Sequence, residues 1–371
     1  MKRQFLSLAL CLSVALLLFG CMTGLAPFGA STDTFPTQSE ATAQSQAAAT
    51  TPITSTIRQP ETSVETSADP TDPDFLQPVA FTWKPYVLSE LYINLYGETF
   101  VAEFQSMVEA FMAYETTFTC SSAEQAEAIN TAASCCFPLL DMDVYRVEYD
   151  EKRNEGILTY AWPEAEHEAG IRHFEKSVSQ FITGCVMKTD NQVTAALALY
   201  MAYSQKITYD YAALADDSTA DLSAYRGLTE FEGICQTFGP AYAYLCLQMG
   251  IDAISAGGLS TDDAAHEWTL VKLDGAYYYM DTTFESGEGG YGLKYFGMTT
   301  ESRVFAGNYI AKTFNIGDTN EIWGNDIVAD NERFAGLRTA TYALLNRGLN
   351  QVECTDAEGR QWVFPLDSEP E

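Results

Sequence analysis

A cysteine, a histidine and an aspartate follow one another along this chain in an order that suits a single site for acyl transfer. They are Cys235, His266 and Asp281. In such a site the thiolate attacks a carbonyl carbon, the imidazole moves the proton, and the carboxylate fixes the imidazole tautomer. Histidine is scarce here, since His167 and His173 are the only others. The three residues therefore predict amide chemistry by a cysteine nucleophile.

His266 and Asp281 are predicted to share one face of a β-hairpin. Two strand-like runs flank Asp274-Gly275, a dipeptide that favours a two-residue hairpin turn. With that turn Trp268 lies opposite Asp281, and His266 lies opposite Thr283. Asp281 is then the diagonal neighbour of His266, within reach of a hydrogen bond. The alternative is an ordinary hairpin with a histidine at its rim.

Cys235 is predicted to lie near the N-terminus of a helix. An apolar run follows it and stops at Gly250, which favours a helix end there. The unsatisfied amides and the positive dipole end of such a helix favour thiolate over thiol. Pro240 predicts a bend near Gly239 if the helix begins at Cys235. The alternative interpretation, a buried and unreactive cysteine, is the one we adopt for Cys246.

Short motifs surround these three residues in a fixed order. They are Gly-Ile-Cys235-Gln before the predicted helix, His266-Glu-Trp at the start of a strand, and Leu-Asp-Gly-Ala-Tyr-Tyr-Tyr-Met-Asp281-Thr-Thr-Phe after it. Ile207-Thr-Tyr-Asp precedes the cysteine, and Tyr295-Phe follows the aspartate. In this order the motifs resemble those of the transglutaminase-like superfamily in its bacterial extracellular form. The resemblance covers about residues 190–300.

The resemblance implies an α+β fold with a papain-like core, in which a helix carrying Cys235 packs on an antiparallel sheet carrying His266 and Asp281. It also implies Cys235 as nucleophile, His266 as general base and acid, and Asp281 as the group that orients the imidazole. By family position Tyr225 is a candidate oxyanion donor beside the Cys235 amide; the alternative is a packing tyrosine. Trp268 is predicted to line a substrate groove.

The chain departs from the family at two places. Members commonly read C-x-G-Y and H-A-W-N, whereas this chain has Cys235-Gln-Thr-Phe238 and His266-Glu-Trp-Thr269. Glu267 is expected on the strand face opposite His266, because successive residues of a strand alternate. Thr237 and Pro240 lie nearer the nucleophile, so they affect the resemblance more.

The N-terminal segment is typical of an exported protein. Lys2 and Arg3 precede an apolar run at 5–19, and Leu18-Phe-Gly-Cys21 resembles a bacterial lipobox. We therefore expect a signal peptide at 1–20 and a lipid on Cys21 that anchors the protein to the outer face of the bacterial cytoplasmic membrane. An ordinary signal peptide is the alternative. Residues 21–78, rich in Ser, Thr, Ala and Pro, are expected to form a disordered tether.

The rest of the chain is long enough for a sizeable core. We expect a mixed, mostly helical extension at 79–189, the transglutaminase-like core at 190–300 and a C-terminal completion of that core at 301–371. The hydrophobic spacing predicts further elements outside the site. They are helices within 89–138 and 164–205, a hairpin within 144–162, a helix near 331–346, and strands at 351–354 and 361–364.

Composition limits the partners. The chain has 20 Lys+Arg against 51 Asp+Glu, a net charge of −31. This balance argues against nucleic acid, which needs a basic surface, and against electrostatic docking on anionic lipid. It favours cationic or amine substrates, with solubility as the alternative explanation.

No cofactor or metal is expected. The chain has no D-x-[DN]-x-[DN]-G calcium loop, and the six-residue spacing of His167 and His173 does not suit a zinc site on a helix. We interpret both as solvated helix histidines. Seven of the nine cysteines follow Cys21, and an odd number outside the cytoplasm leaves at least one thiol unpaired, as Cys235 requires.

The sequence therefore predicts an anchored thiol hydrolase that cleaves peptide or amide bonds of a protein or peptide through a Cys-His-Asp triad and a thioester. One alternative is amine transfer to protein glutamine. The other is a non-catalytic binding module that retains the fold.

Overall fold

The computed structural model describes residues 76–215, 222–260, 265–303, 309–314 and 327–367. The predicted signal peptide, Cys21 and nearly all of the predicted tether lie outside these ranges. Within them, no helix combines the length and apolarity that crossing a membrane requires.

Helices dominate the part of the chain before the predicted core, as the spacing indicates. The elements are α1 (Glu90–Met112), β1 (Thr117–Phe118), α2 (Ala123–Cys136), α3 (Leu140–Asp143), β2 (Glu148–Asp150), β3 (Glu155–Ile157) and α4 (Glu164–Cys185). Ser89 and Ser122 cap α1 and α2, each accepting a hydrogen bond from a first-turn amide. The three strands form an antiparallel sheet in the order β1-β3-β2, which confirms the predicted hairpin.

The central part of the chain combines helices with a four-stranded antiparallel sheet. Its elements are α5 (Gln192–Lys206), β4 (Thr208–Tyr209), α6 (Tyr211–Ala215), α7 (Ala224–Thr229), β5 (Glu232–Gly233), α8 (Cys235–Gln248), β6 (Ala253–Ser260), β7 (Ala265–Leu273), β8 (Ala276–Met280), α9 (Thr282–Gly287), α10 (Thr300–Arg303) and β9 (Tyr309–Phe314). The sheet order is β8-β7-β6-β9. Helices and antiparallel strands thus build an α+β fold.

Helix α8 lies against this sheet at very close range. It runs through Pro240 and ends before Gly250, whose φ of 73° is the left-handed conformation expected after a helix. The side chain of Thr269 on β7 donates a hydrogen bond to the carbonyl of Gly239, at 2.9 Å. A Cβ at Gly239 would lie 3.1 Å from the carbonyl oxygen of Trp268. Only a glycine lets the helix and the strand approach so closely.

The β7–β8 hairpin has the predicted register. Asp274 and Gly275 both have positive φ, at 48° and 85°, as a type I′ turn requires. The ladder extends from the turn to the pair Thr269 and Met280. The predicted pairing of His266 with Thr283 is wrong, because β8 ends at Met280 and Thr283 belongs to α9.

The C-terminal part is a second small sheet. Its strands are β10 (Tyr342–Asn346), β11 (Gln351–Thr355) and β12 (Gln361–Pro365), all antiparallel, with short 3₁₀ turns at Ala335–Leu337 and Arg347–Leu349. The two later strands confirm the prediction. The predicted helix near 331–346 is wrong, because five residues of this segment pair with β11 and so find their hydrogen-bond partners in a sheet.

His167 is a core residue, so its interpretation as solvated is wrong. It is 1% exposed. Its Nδ1 lies 2.8 Å from Oδ2 of Asp143, and its Nε2 lies 2.9 Å from the carbonyl oxygen of Phe111. The imidazole therefore ties α4 to α3 and α1. His173 is exposed, as predicted.

Candidate active site

Cys235 is the first residue of α8, as its sequence context predicts. Thr237 secures this position: its hydroxyl accepts from the Ile234 amide at 3.3 Å and donates to the Leu222 carbonyl at 2.8 Å. The departure at Thr237 therefore has a structural role in the turn before the helix. Among the described residues, none accepts a hydrogen bond from the amides of Cys235 or Gln236. Both N–H groups remain available at the positive end of the helix dipole.

His266 and Asp281 are in direct contact. Nε2 of His266 lies 2.7 Å from Oδ2 of Asp281, and both side chains are buried. The other carboxylate oxygen, Oδ1, accepts from the Phe284 amide at 2.8 Å and so caps α9. The Asp281 amide donates to the Tyr295 carbonyl at 3.0 Å, and its carbonyl accepts from the Tyr200 hydroxyl at 3.0 Å. Both carboxylate oxygens and both backbone polar groups of Asp281 thus have hydrogen-bond partners.

The imidazole interacts with the thiol as well as with the carboxylate. Cys235 acts on His266 through a side-chain hydrogen bond and through its charge. The ring of Phe284 stacks on the imidazole, with centroids 4.4 Å apart and planes 13° apart. Thiol, imidazole and carboxylate therefore form one continuous chain, the arrangement that nucleophilic catalysis by cysteine needs.

The electrostatics of the site favour an imidazolium. Burial lowers the pKa of His266, but the charge and hydrogen bond of Asp281 and the contact with Cys235 outweigh it and raise that pKa to about 10. At neutral pH the ring is then protonated. A cation beside the sulfur stabilises the thiolate, which is the nucleophilic form.

The other two predicted site residues pack among aromatic and charged side chains. The ring of Tyr225 stacks on Phe174 at 5.3 Å and meets Trp162 edge-on at 6.5 Å. Its role as an oxyanion donor stays a prediction. Trp268 is 1% exposed, beside the His266 ring and beneath the guanidinium of Arg303. It therefore lies in the interior and not at the surface of a groove.

Two aromatic residues near the site were missed by the sequence reasoning. Phe284 stacks on the histidine, and Tyr209 lies next to the turn that presents Cys235. Both belong to motifs already noted, Asp281-Thr-Thr-Phe and Ile207-Thr-Tyr-Asp. The motifs were a signal for these positions, but they carried no information about what either ring touches.

Two buried glutamates lie close to the triad. Burial raises the pKa of Glu285 to about 7, although its Oε2 accepts hydrogen bonds from the Tyr200 hydroxyl at 3.0 Å and from the Tyr295 amide at 3.1 Å. Burial also raises the pKa of Glu267 to about 7, and its carboxyl accepts a hydrogen bond from Ser255. Burial therefore favours the protonated form of both carboxyl groups.

All seven cysteines in the described part of the chain are free thiols, and Cys246 is fully buried, as predicted. In the described ranges, no group of three or more His, Cys, Asp and Glu side chains is arranged to hold a metal ion.

Comparison with known proteins finds structural similarity over about a third of the chain. No family model matches the chain, and no curated protein matches it. A solved structure of a TGase aligns over 33% of this chain and 34% of its own, with 17% identity and a TM-score of 0.28. A candidate cysteine protease from Cytophaga hutchinsonii aligns over 31% of this chain and 37% of its own, with 18% identity and a TM-score of 0.25. The chain thus spans about a third of the length of each of these proteins.

Proposed function

We propose that the protein is a transglutaminase-like thiol hydrolase that cleaves peptide or amide bonds. The observation that carries this proposal is the contact series from the Cys235 thiol through His266 to Asp281, with 2.7 Å between the histidine Nε2 and the carboxylate. A different element holds each of the three residues, which supports the proposal. These elements are the start of α8, the strand β7 and the cap of α9.

The chemistry follows from the charges of the site. The Cys235 thiolate attacks the carbonyl carbon, and the amide of Cys235 donates to the oxygen that becomes negative. The His266 imidazolium gives its proton to the leaving amine, which departs and leaves a thioester. The neutral imidazole then takes a proton from water while the water oxygen attacks the thioester carbon. The carbon–sulfur bond breaks, which releases the acid and regenerates the thiolate. Asp281 stabilises the imidazolium in both half-reactions.

Amine transfer is the second candidate. The same thioester can be resolved by a primary amine, and the net charge of −31 would attract a cationic amine to the protein. A binding module that keeps the fold without catalysis is the remaining candidate. From the sequence we also propose that the protein is exported and held at the outer face of the cytoplasmic membrane by a lipid on Cys21.

Iodoacetamide labelling across pH tests the proposed nucleophile. The protein is treated at pH 5–10 as wild type, Cys235→Ala and His266→Ala, and peptide mass spectrometry locates the label. We expect Cys235 to react well below pH 8.5, the ordinary range of a free thiol, and to slow by about tenfold or more in His266→Ala. Cys185, partly exposed and with its pKa raised to about 12 by burial, is the internal control.

The outcome separates the candidates. A Cys235 that labels no faster than a free thiol, with the same rate in His266→Ala, would leave only the binding module. If the labelling is fast, glutamine peptides with and without a primary amine distinguish the two reactions. Peptide cleavage or ammonia release without amine incorporation indicates hydrolysis, and a new isopeptide product indicates transfer.

A further inference from the structure

The guanidinium of Arg303 is buried against the strands that carry the triad histidine. Arg303 is the last residue of α10 and is 2% exposed. Its guanidinium carbon lies 4.9 Å from the ring centroid of Trp268 and 4.2 Å from that of Tyr279. Trp268 and Tyr279 share one face of the β7–β8 hairpin with His266, because residues alternate along each strand. The guanidinium therefore packs on the face that carries His266.

The ring of Trp268 lies beside both Arg303 and His266. Its centroid is 5.8 Å from that of the imidazole and 4.9 Å from the guanidinium carbon. The two distances together put the guanidinium no more than about 11 Å from the imidazole. An extended peptide advances about 3.3 Å per residue, so about three residues span this separation. A peptide whose carbonyl meets Cys235 is thus long enough to reach Arg303 with a nearby group.

The buried charge of Arg303 is not balanced by any described carboxylate. In the part of the chain that the structure describes, Arg303 forms no ion pair, and its Nε and Nη1 atoms donate to no acceptor. Tyr279 interacts with it through a side-chain hydrogen bond. Burial lowers the pKa of Arg303, yet a guanidinium remains charged at neutral pH. A buried cation with two unsatisfied N–H groups destabilises a folded protein, unless a ligand supplies the missing acceptors.

Other arginines with little exposure are satisfied by the protein itself. Arg347 pairs with Asp190 at 2.7 Å. Arg338 donates to backbone carbonyls, among them that of Phe296 at 2.6 Å. The protein therefore provides acceptors for these guanidinium groups, whereas two donors of Arg303 remain free for the acceptor atoms of a ligand.

We infer that Arg303 binds a carboxylate of the substrate, within a few residues of the bond that Cys235 attacks. This inference rests on the proposed function. A carboxylate has two acceptor oxygens that suit the donors of a guanidinium, and a charge-assisted pair out of contact with water is strong. The C-terminus of a peptide and an acidic side chain both present this group. Because Arg303 is buried, the side chains that cover it have to move when the ligand enters.

Alkylating peptides that differ by a single carboxylate provide the test. Iodoacetyl-glycylglycine is compared as free acid and as amide, which varies the C-terminal carboxylate. The glutamyl and glutaminyl amides of iodoacetyl-glycine are compared in the same way, which varies a side-chain carboxylate. The rate of Cys235 labelling is measured by mass spectrometry in the full-length protein. In the wild type we expect one of the two acids to label Cys235 roughly tenfold or more faster than its neutral partner, and that pair identifies the source of the carboxylate.

Two arginine variants show whether the gain comes from Arg303. In Arg303→Met the ratio of acid to neutral rate should fall to about one or lower, since the net charge of −31 then acts on the acid without the buried cation. Arg172→Met is the matched control, at an exposed arginine that pairs with Glu168. It should keep the wild-type ratio.

Thermal unfolding gives a second measurement, which does not depend on the nucleophile. N-acetylglycine and N-acetylglycinamide are compared as ligands at equal ionic strength. The acid should raise the melting temperature of the wild type more than the amide does, because it binds the folded state. Arg303→Met should lose this difference. With the amide, Arg303→Met should be at least as stable as the wild type, because methionine removes a buried charge that has no described carboxylate partner.

The inference is overturned if neither acid labels Cys235 faster than its neutral partner, or if Arg303→Met keeps the gain. It is also overturned if Arg303→Met is less stable than the wild type and the acid stabilises neither protein, since Arg303 would then be a structural residue. A Cys235 that reacts with the neutral reagents no faster than a free thiol would refute the proposed function. In that case the thermal measurement still decides whether Arg303 binds a carboxylate.

Discussion

The charge state of His266 is decided by two opposing effects on one ring. Burial favours the neutral imidazole, because a charge loses its hydration there. Asp281 favours the imidazolium through its charge and its hydrogen bond, and this effect prevails. The imidazolium beside Cys235 therefore depends on the interaction of the ring with Asp281.

Replacing Asp281 by Asn should reverse this balance. The amide keeps the shape of the carboxylate but not its charge, so the pKa of His266 should fall well below about 10. The measurement is a ¹³C NMR titration of the imidazoles, which is simple because the chain has only three histidines. The rate of Cys235 alkylation at pH 7 should fall in the same variant.

Asp274→Asn is the control, because this exposed residue lies at the opposite end of the same hairpin. It should leave both the His266 titration and the alkylation rate unchanged. An unaltered His266 midpoint in Asp281→Asn would show that the carboxylate does not set the charge of the ring.

Order, motif and the scarcity of histidine predicted that Cys235, His266 and Asp281 come together, and the structure brings them into contact. The groups that hold them were not predicted. The position of Tyr209 was not predicted, because it depends on the pairing of β4 with β5, two segments more than twenty residues apart. The contact of Phe284 with His266 was not predicted either, because it depends on where β8 ends. Local patterns do not contain either fact.

At the scale of elements, the predictions succeeded where the determinant is local. The register of the β7–β8 hairpin follows from the Asp-Gly turn, and the start of α8 follows from the residues around Cys235. The end of β8 depends on the Asp281 side chain, which caps a helix instead of continuing the strand. The segment Tyr342–Asn346 has helical composition but becomes a strand because β11 provides its partner. Tertiary context overrides propensity there.

The close contact between α8 and β7 predicts that one methyl group added at Gly239 destabilises the protein. In Gly239→Ala the new Cβ would lie 3.0 Å from the Ser255 hydroxyl and 3.1 Å from the Trp268 carbonyl oxygen. The serine can rotate, but the backbone cannot, so the helix has to move from the sheet. We expect a loss of about 1–3 kcal/mol in the free energy of unfolding, measured by urea denaturation. Alkylation of Cys235 should slow as well, because the sulfur moves from His266.

Gly184→Ala is the matched substitution, and we expect it to change the free energy of unfolding in the opposite direction. Gly184 lies in the last turn of α4, is exposed, and has nothing within 4 Å of a Cβ. Alanine should stabilise the protein there by up to about 1 kcal/mol through helix propensity. Equal effects of the two substitutions would mean that the close approach at Gly239 does not matter.

At the scale of the whole molecule, charge and burial act against each other. The chain has a net charge of −31, yet Glu267 and Glu285 are almost fully buried close to His266 and Asp281. Desolvation favours their neutral form, and for both it raises the pKa to about 7. These two groups therefore couple the stability of the core to pH in the range where the site would work.

Because of Glu267 and Glu285, we expect the free energy of unfolding to decrease as the pH rises from 4.5 to 7. In the unfolded chain each carboxyl titrates near 4.5, and in the folded protein near 7, so the folded state holds more protons in this interval. Each group then lowers the free energy of unfolding by about 1.4 kcal/mol per pH unit at the steepest, and by about 3 kcal/mol in all. Their contribution is complete below pH 4.5 and is lost by pH 7.

Urea denaturation at several pH values between 4.5 and 8 checks this prediction with Glu267→Gln and Glu285→Gln. Each variant removes one titration, so the wild type should be more stable relative to the variant at pH 4.5 than at pH 8. Taking the difference cancels the groups common to both proteins, among them Asp210 and Asp356, whose pKa values are lowered and act in the opposite direction. Glu301→Gln, at an exposed position, should give a flat difference. A flat difference for Glu267→Gln and Glu285→Gln too would mean that both carboxyls are ionised throughout and that water reaches them in the folded protein.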